Sequence, residues 1–209
     1  MIIRRPLLAR TTIALTGGLI LATVGGAAAF ADTEYDNNDV DVSVTIPEIE
    51  GPGVLAMTVA ADSTTLAESG STPVVRQFIG TLPTVTVTDT RDADEVPEGA
   101  GWYVLGSASD FVGATGQPSI GADHLGWTPR LLDGGDSGLV AEGDEVGTVL
   151  DTGPNAVGLV DQELLALAAD SQAVNAEGSW TVEADLTLKT EPDVIAGDYR
   201  SVLTLSLFE

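Results

Sequence analysis

From Trp180 to Leu188 every second residue is apolar. Trp180, Val182, Ala184, Leu186 and Leu188 alternate with Thr181, Glu183, Asp185 and Thr187. A period of two puts one set on a buried face and the other in water, which predicts a half-buried β-strand. Residues 191–198 break the pattern with Pro192, Gly197 and three acids. A second strand is expected from Tyr199, with Leu203, Leu205 and Leu207 on one face. Two such runs so close in sequence predict an antiparallel pair between 180–188 and 199–207. Leu186, Leu188, Leu203, Leu205 and Leu207 should then be buried, and Glu183 and Asp185 exposed. The last strand is expected to be central or well paired, because a loose end frays.

The N-terminus reads differently. Arg4, Arg5 and Arg10 precede an uncharged, largely apolar run, 11–26, and Ala29 and Ala31 supply small residues at −3 and −1 of a cut after Ala31. That is the layout of a secretory signal peptide over 1–31. A membrane anchor is the rival, since about 20 apolar residues span a bilayer, but Gly17, Gly18, Gly25 and Gly26 favour cleavage. The expected domains are then a signal peptide (1–31), an acidic lead-in (32–39) and one β-domain (40–209). Removing the signal leaves five bases against 32 acids, a net −27. A surface so acidic repels nucleic acid and anionic lipid. The chain has no cysteine, so an exported fold must rest on its core without disulfides, and thiol chemistry and Cys-bound zinc are excluded. No wall-sorting motif is seen, so the expectation is a secreted, extracellular protein, free or held non-covalently to the wall.

Strands are expected at 40–46 and 54–60, as a hairpin around Pro47 and Gly51–Gly53, at 74–79, at 84–88, where Thr and Val alternate, at 102–105 and at 124–130. Phe111 and Val112 should continue the 102–105 strand after a turn. Residues 89–101 read as a long charged loop, and 131–147, with five glycines, as turns around a short strand at most. The run 161–169 stands apart: Leu164, Leu165, Ala166, Leu167 and Ala168 favour helix, with Asp161 as its cap. Many short strands at regular turn spacing with one short helix predict an all-β fold, an immunoglobulin-like antiparallel β-sandwich.

Signals of catalysis are weak. Gly135-Asp136-Ser137-Gly138 spells the surroundings of a serine nucleophile, but such a serine needs a base, and the single histidine, His124, lies only 13 positions earlier. A Gly/Asp turn is the simpler reading. Carboxylate pairs are too common here to point to glycosidase chemistry. No cofactor is expected. Calcium is conceivable at Asp89, Asp92, Asp94 and Glu95, or at Asp133 and Asp136, but neither follows the twelve-residue EF-hand loop.

Several segments together resemble the WxL-domain proteins of Gram-positive surfaces. These are Thr86-Val87-Thr88-Asp89-Thr90-Arg91, Gly101-Trp102-Tyr103-Val104, Ser109-Asp110-Phe111, Leu125-Gly126-Trp127, and the ending Gly197-Asp198-Tyr199-Arg200-Ser201-Val202-Leu203-Thr204-Leu205-Ser206-Leu207. The resemblance covers 82–209 and is that of a divergent, actinobacterial relative. Val104 stands where the family has leucine, and Leu205 where its second motif has tryptophan. The resemblance implies an extracellular β-sandwich associated non-covalently with peptidoglycan.

The expected function is therefore a non-catalytic cell-surface protein binding wall glycan or partner surface proteins. One alternative is a structural subunit of a surface assembly that uses strand addition, which an uncharged, exposed edge strand would favour. A secreted hydrolase is the other, which a cleft lined by aromatics would favour. Trp102, Tyr103 and Trp127 are the candidate wall-binding residues. Neighbouring strand residues point to opposite faces, so only one of Trp102 and Tyr103 can fill the core.

Overall fold

The computed structural model describes residues 52–209. The signal peptide, the lead-in and the expected strand at 40–46 lie outside the described residues. The described strands belong to one compact unit, Ile49–Glu209. They form antiparallel sheets with one short α-helix, an all-β sandwich-like fold.

The first sheet is built around one strand. β10 (Ser179–Thr190) buries Trp180, Val182, Ala184, Leu186, Leu188 and Thr190 in strict alternation, as its period of two requires. One side of β10 pairs with β7 (Leu125–Asp133). The other side is shared by β3 (Arg76–Thr81) and β4 (Val85–Asp89) in succession. These two are nearly one strand. Asp185 faces Thr81 and Val182 faces Val85, so one extra residue is accommodated between them. The break falls at Pro83, which has no N–H to give to a ladder. Beyond them, β1 (Leu55–Val59) pairs with β4 and β2 (Ala67–Glu68) with β3. In β7 the Trp127 amide bonds away from β10, to the Val146 carbonyl at 2.9 Å. Pro129, two residues on, therefore sits where β10 needs no amide.

The second sheet has the order β12–β5–β9–β8, from β12 (Leu203–Phe208), β5 (Trp102–Ala108), β9 (Glu163–Ala168) and β8 (Val140–Glu142). A small ribbon pairs β6 (Val112–Gly113) with β11 (Tyr199–Arg200). The core lies between the two sheets. Trp102 of β5 meets Trp180 of β10 with ring centroids 5.2 Å apart, tilted by 39°. Trp127 of β7 lies over Gly106 of β5, where a Cβ would sit 2.5 Å from the indole Cη2. Only glycine lets that ring lie against the strand.

Three expectations are corrected. Segments 180–188 and 199–207 do not pair with each other. Both edges of β10 are already taken by β3, β4 and β7, so the connection 191–198 carries the chain to the second sheet, where β12 joins β5. β12 is well paired, with all six residues against β5, but it is not central: it is the outer strand of its sheet, and Leu203, Leu205 and Leu207, expected to be buried, are only half-buried for that reason. Leu186 and Leu188 are buried and Asp185 is exposed as expected, while Glu183 is half-buried and paired with Arg130.

The third correction concerns 161–169, which is not a helix. Residues 163–168 form β9, held between β5 and β8. A register shift opposite Val104 and Leu105 leaves Leu165 and Ala166 both buried, and this bulge hides the two-residue period. Pairing on both edges overrides the helical propensity of Leu and Ala. The helix, α1 (Ser171–Val174), follows instead, and the Asp170 carboxylate caps it by accepting from the Ala173 amide at 3.0 Å.

Candidate functional site

Parity along β5 separates the two aromatic neighbours. Trp102 points inward and is 1% exposed, whereas Tyr103 points outward and is 39% exposed. Trp127 is also core, 1% exposed. A sugar ring can stack only on an accessible aromatic face, so of the three sequence candidates Tyr103 alone can offer one. Trp102 and Trp127 are corrected from surface candidates to core residues, because their positions share the face that meets the opposite sheet.

Tyr103 has an aromatic partner that the sequence reading missed. Phe208 of β12 lies directly opposite it, with ring centroids 5.3 Å apart and planes within 16°. The signal was present: with Leu203, Leu205 and Leu207 inward, Phe208 must point outward. The register continues the row across all four strands, Phe208 to Tyr103 to Leu167 to Ala141. The next row on this face has Ser206, Leu105 and Leu164, and the one beyond Thr204 and Ser107. No charged side chain stands on the outer face of β12, β5 or β9, although the chain carries 32 acids and 8 bases. The surface is thus neutral, apolar at one end, and headed by a stacked aromatic pair.

The WxL-like segments are architectural where their contacts are visible. Asp89, at the end of β4, has a fully buried carboxylate, bonded by the Arg91 guanidinium at 2.7 and 2.8 Å. Burial pushes that carboxyl up, but the Arg91 side-chain and amide bonds outweigh it and hold it below its ordinary range. Arg91 also bonds Glu209, just past β12, at 2.7 Å. With two carboxylates as partners its guanidinium is held firmly charged. Gly101 lies where a Cβ would be 2.5 Å from the Ala168 carbonyl oxygen, so it lets β5 start close against β9. Gly126 has the backbone carbonyl of Val146 2.4 Å from where its Cβ would be.

The serine-containing turn and the histidine are not brought together. His124 precedes β7 and donates from Nδ1 to the Lys189 carbonyl at 2.6 Å. Ser137 follows β7, and its amide bonds the Glu177 carboxylate at 2.6 Å. The nine residues of β7 between them span roughly 30 Å. Gly135 and Gly138 both have positive φ, 72° and 69°, so the motif is a tight turn. Glu177 is held below its ordinary range, first by the indole N–H of Trp180 at 2.8 Å and then by Ser137.

Three of the carboxylates considered for calcium are engaged within the chain. Asp89 serves Arg91, Glu95 accepts the amides of Gly53 and Asp92, and Asp133 accepts that of Gly135. Among the described residues no group of three or more His, Cys, Asp or Glu side chains is placed to hold a metal. Among them, too, no helix is long and apolar enough to cross a membrane. Comparison with family models, with curated proteins and with solved structures finds no match for this chain.

Proposed function

We propose that the protein is a secreted, non-catalytic surface protein, a divergent relative of the WxL-domain proteins, that associates with the glycan of the cell wall. One observation carries this reading: the stacked Tyr103–Phe208 pair on a sheet face without charge. Sugar rings present apolar C–H faces, which pack on aromatic rings and gain from losing water. Polar neighbours such as Ser206 and Thr204 can meet hydroxyl groups. A neutral face is also the part of so acidic a molecule best suited to approach a wall rich in anionic polymers. The signal-peptide layout of 1–31 and the WxL-like segments support export to such a surface.

Sedimentation with purified cell walls tests the reading. The wild-type chain is expected in the pellet, and Tyr103→Ala and Phe208→Ala in the supernatant. A wild-type chain that stays in solution refutes wall binding. Pelleting unaffected by either substitution moves the contact elsewhere on the molecule.

A further inference from the structure

β12 pairs with β5 alone among the described residues. One bond just before it tells which of its backbone groups face the free edge. The Ser109 amide donates to the Val202 carbonyl at 2.9 Å, so 109 and 202 form a hydrogen-bonded pair. Such pairs alternate with non-bonded ones along an antiparallel ladder. In the register from Leu203 opposite Ala108 to Phe208 opposite Tyr103, the amides of Thr204, Ser206 and Phe208 then face β5. Those of Leu203, Leu205 and Leu207 point outward. The Ala108 amide should point away from β12 on the same count, and it bonds the Leu159 carbonyl at 2.7 Å.

Outer strands are normally guarded by charge, proline, a bulge or shortness. β2 and β8 follow the rule: both are short, and they carry Glu68 and Glu142. β12 reads Leu-Thr-Leu-Ser-Leu-Phe, six residues with no guard. Its three inward leucines stay half-buried.

We infer that β12 is an interface for a second copy of this chain, whose own β12 adds antiparallel across a two-fold axis normal to the sheet. Rotation about such an axis keeps each face on its own side, so a residue can oppose only one that shares its face. Centred on Leu205, the register sets Leu205 against the partner's Leu205, and Leu203 against the partner's Leu207. Thr204 meets the partner's Ser206. The outward amides and carbonyls of the three leucines then satisfy one another, and leucine packs on leucine along the inner face. Two chains of net −24 repel as whole bodies, and this uncharged, self-complementary edge is where they can meet without acid facing acid. The antiparallel order also lays the Arg200 end of one copy beside the Glu209 end of the other. The pairing does not rest on wall binding, but it would turn both Tyr103–Phe208 pairs to the same side.

Sedimentation equilibrium of the full chain tests this. Wild type should rise with concentration from 21.4 kDa to twice that mass, and dimerise more tightly as monovalent salt screens the two acidic bodies. Thr204→Lys with Ser206→Lys sets like charges opposite each other across the axis, and Thr204→Glu with Ser206→Glu does the same. Each double variant should keep the wild-type circular dichroism, since both positions face away from the core, and run as a monomer. Mixing the two should restore the doubled mass. A wild type monomeric throughout, a double variant that dimerises like wild type, or a mixture that stays monomeric would each overturn the proposal.

Discussion

The guanidinium of Arg91 meets the carboxylate of Glu209 at 2.7 Å, across 118 positions of sequence. Because Arg91 also holds Asp89, this contact ties the end of β4 in the first sheet to the end of β12 in the second. The Asn175 side-chain amide donates to the Arg91 carbonyl at 2.8 Å, so the segment after α1 fixes the same corner.

Arg91→Met removes the partner of a fully buried carboxylate. Stranding a buried charge costs about 3–5 kcal/mol, and urea unfolding at neutral pH should show a loss of that order. Glu209→Gln, which leaves Asp89 and Arg91 paired, should cost far less. The sign of the pH effect follows from Asp89, whose carboxyl is held below its ordinary range. The pair's contribution is present above the unfolded value, about 3.9, and is lost as pH falls through the lower folded one. The gap between wild type and Arg91→Met should therefore close on acidification below about 4. A gap that persists there would mean that Arg91 acts through packing alone.

Gly106→Ala tests the contact between the sheets. The new methyl would lie 2.5 Å from Cη2 of Trp127 and 2.8 Å from Cζ3. Overpacking of a closed core costs about 1–3 kcal/mol, and the unfolding midpoint should fall accordingly. Trp127→Leu, combined with Gly106→Ala, should recover part of that loss. If the two losses simply add, the ring does not press on this strand.

The three indoles differ in what their N–H groups do. Trp180 donates to Glu177 at 2.8 Å, while the buried indole nitrogens of Trp102 and Trp127 find no acceptor among the described residues. Trp180→Phe loses a bond to a carboxylate, whereas Trp102→Phe removes an indole N–H that has no acceptor. Trp180→Phe should therefore cost more stability than Trp102→Phe, although both rings are buried. Glu177→Gln should narrow the difference. Equal losses in the two Phe variants would show that ring volume alone matters.

The strands at 84–88 and 180–188 are legible because one face of each is core and the other is not, so a two-residue period survives in the sequence, while 102–105 and 124–130 are legible only from their aromatic and apolar content between turn signals. β9 lost that period to its bulge at Leu165 and Ala166, and its Leu/Ala content then read as helix. The pairing of β10 was beyond local reading. Its partners, β3, β4 and β7, are set by which edges are open once the sheet assembles, and sequence proximity to β12 was a false guide. Parity shows that one of Trp102 and Tyr103 lies at the surface but not which, and Phe208 as its partner needed the β5–β12 register. The roles of Asp89, Arg91 and Gly101 are long-range contacts, to Glu209 and the Ala168 carbonyl, that no spacing encodes.

The proposed wall contact has a salt signature that separates it from basic wall binders. The chain carries a net −24, or −27 without 1–31, and meets a wall whose polymers are also anionic. Like charges repel over roughly a Debye length, about 8 Å at physiological salt. Monovalent salt shortens that reach, so a neutral aromatic–sugar contact should hold its strength or gain as salt rises. A basic binder would release steadily instead. If divalent cations bridge the two acidic surfaces, a chelator should release the protein while sodium chloride does not. Pelleting measured across a sodium chloride series, with and without chelator, distinguishes these cases. Steady release by sodium chloride alone would contradict a neutral contact at Tyr103 and Phe208. Retention at high salt that is lost in Tyr103→Ala would support it.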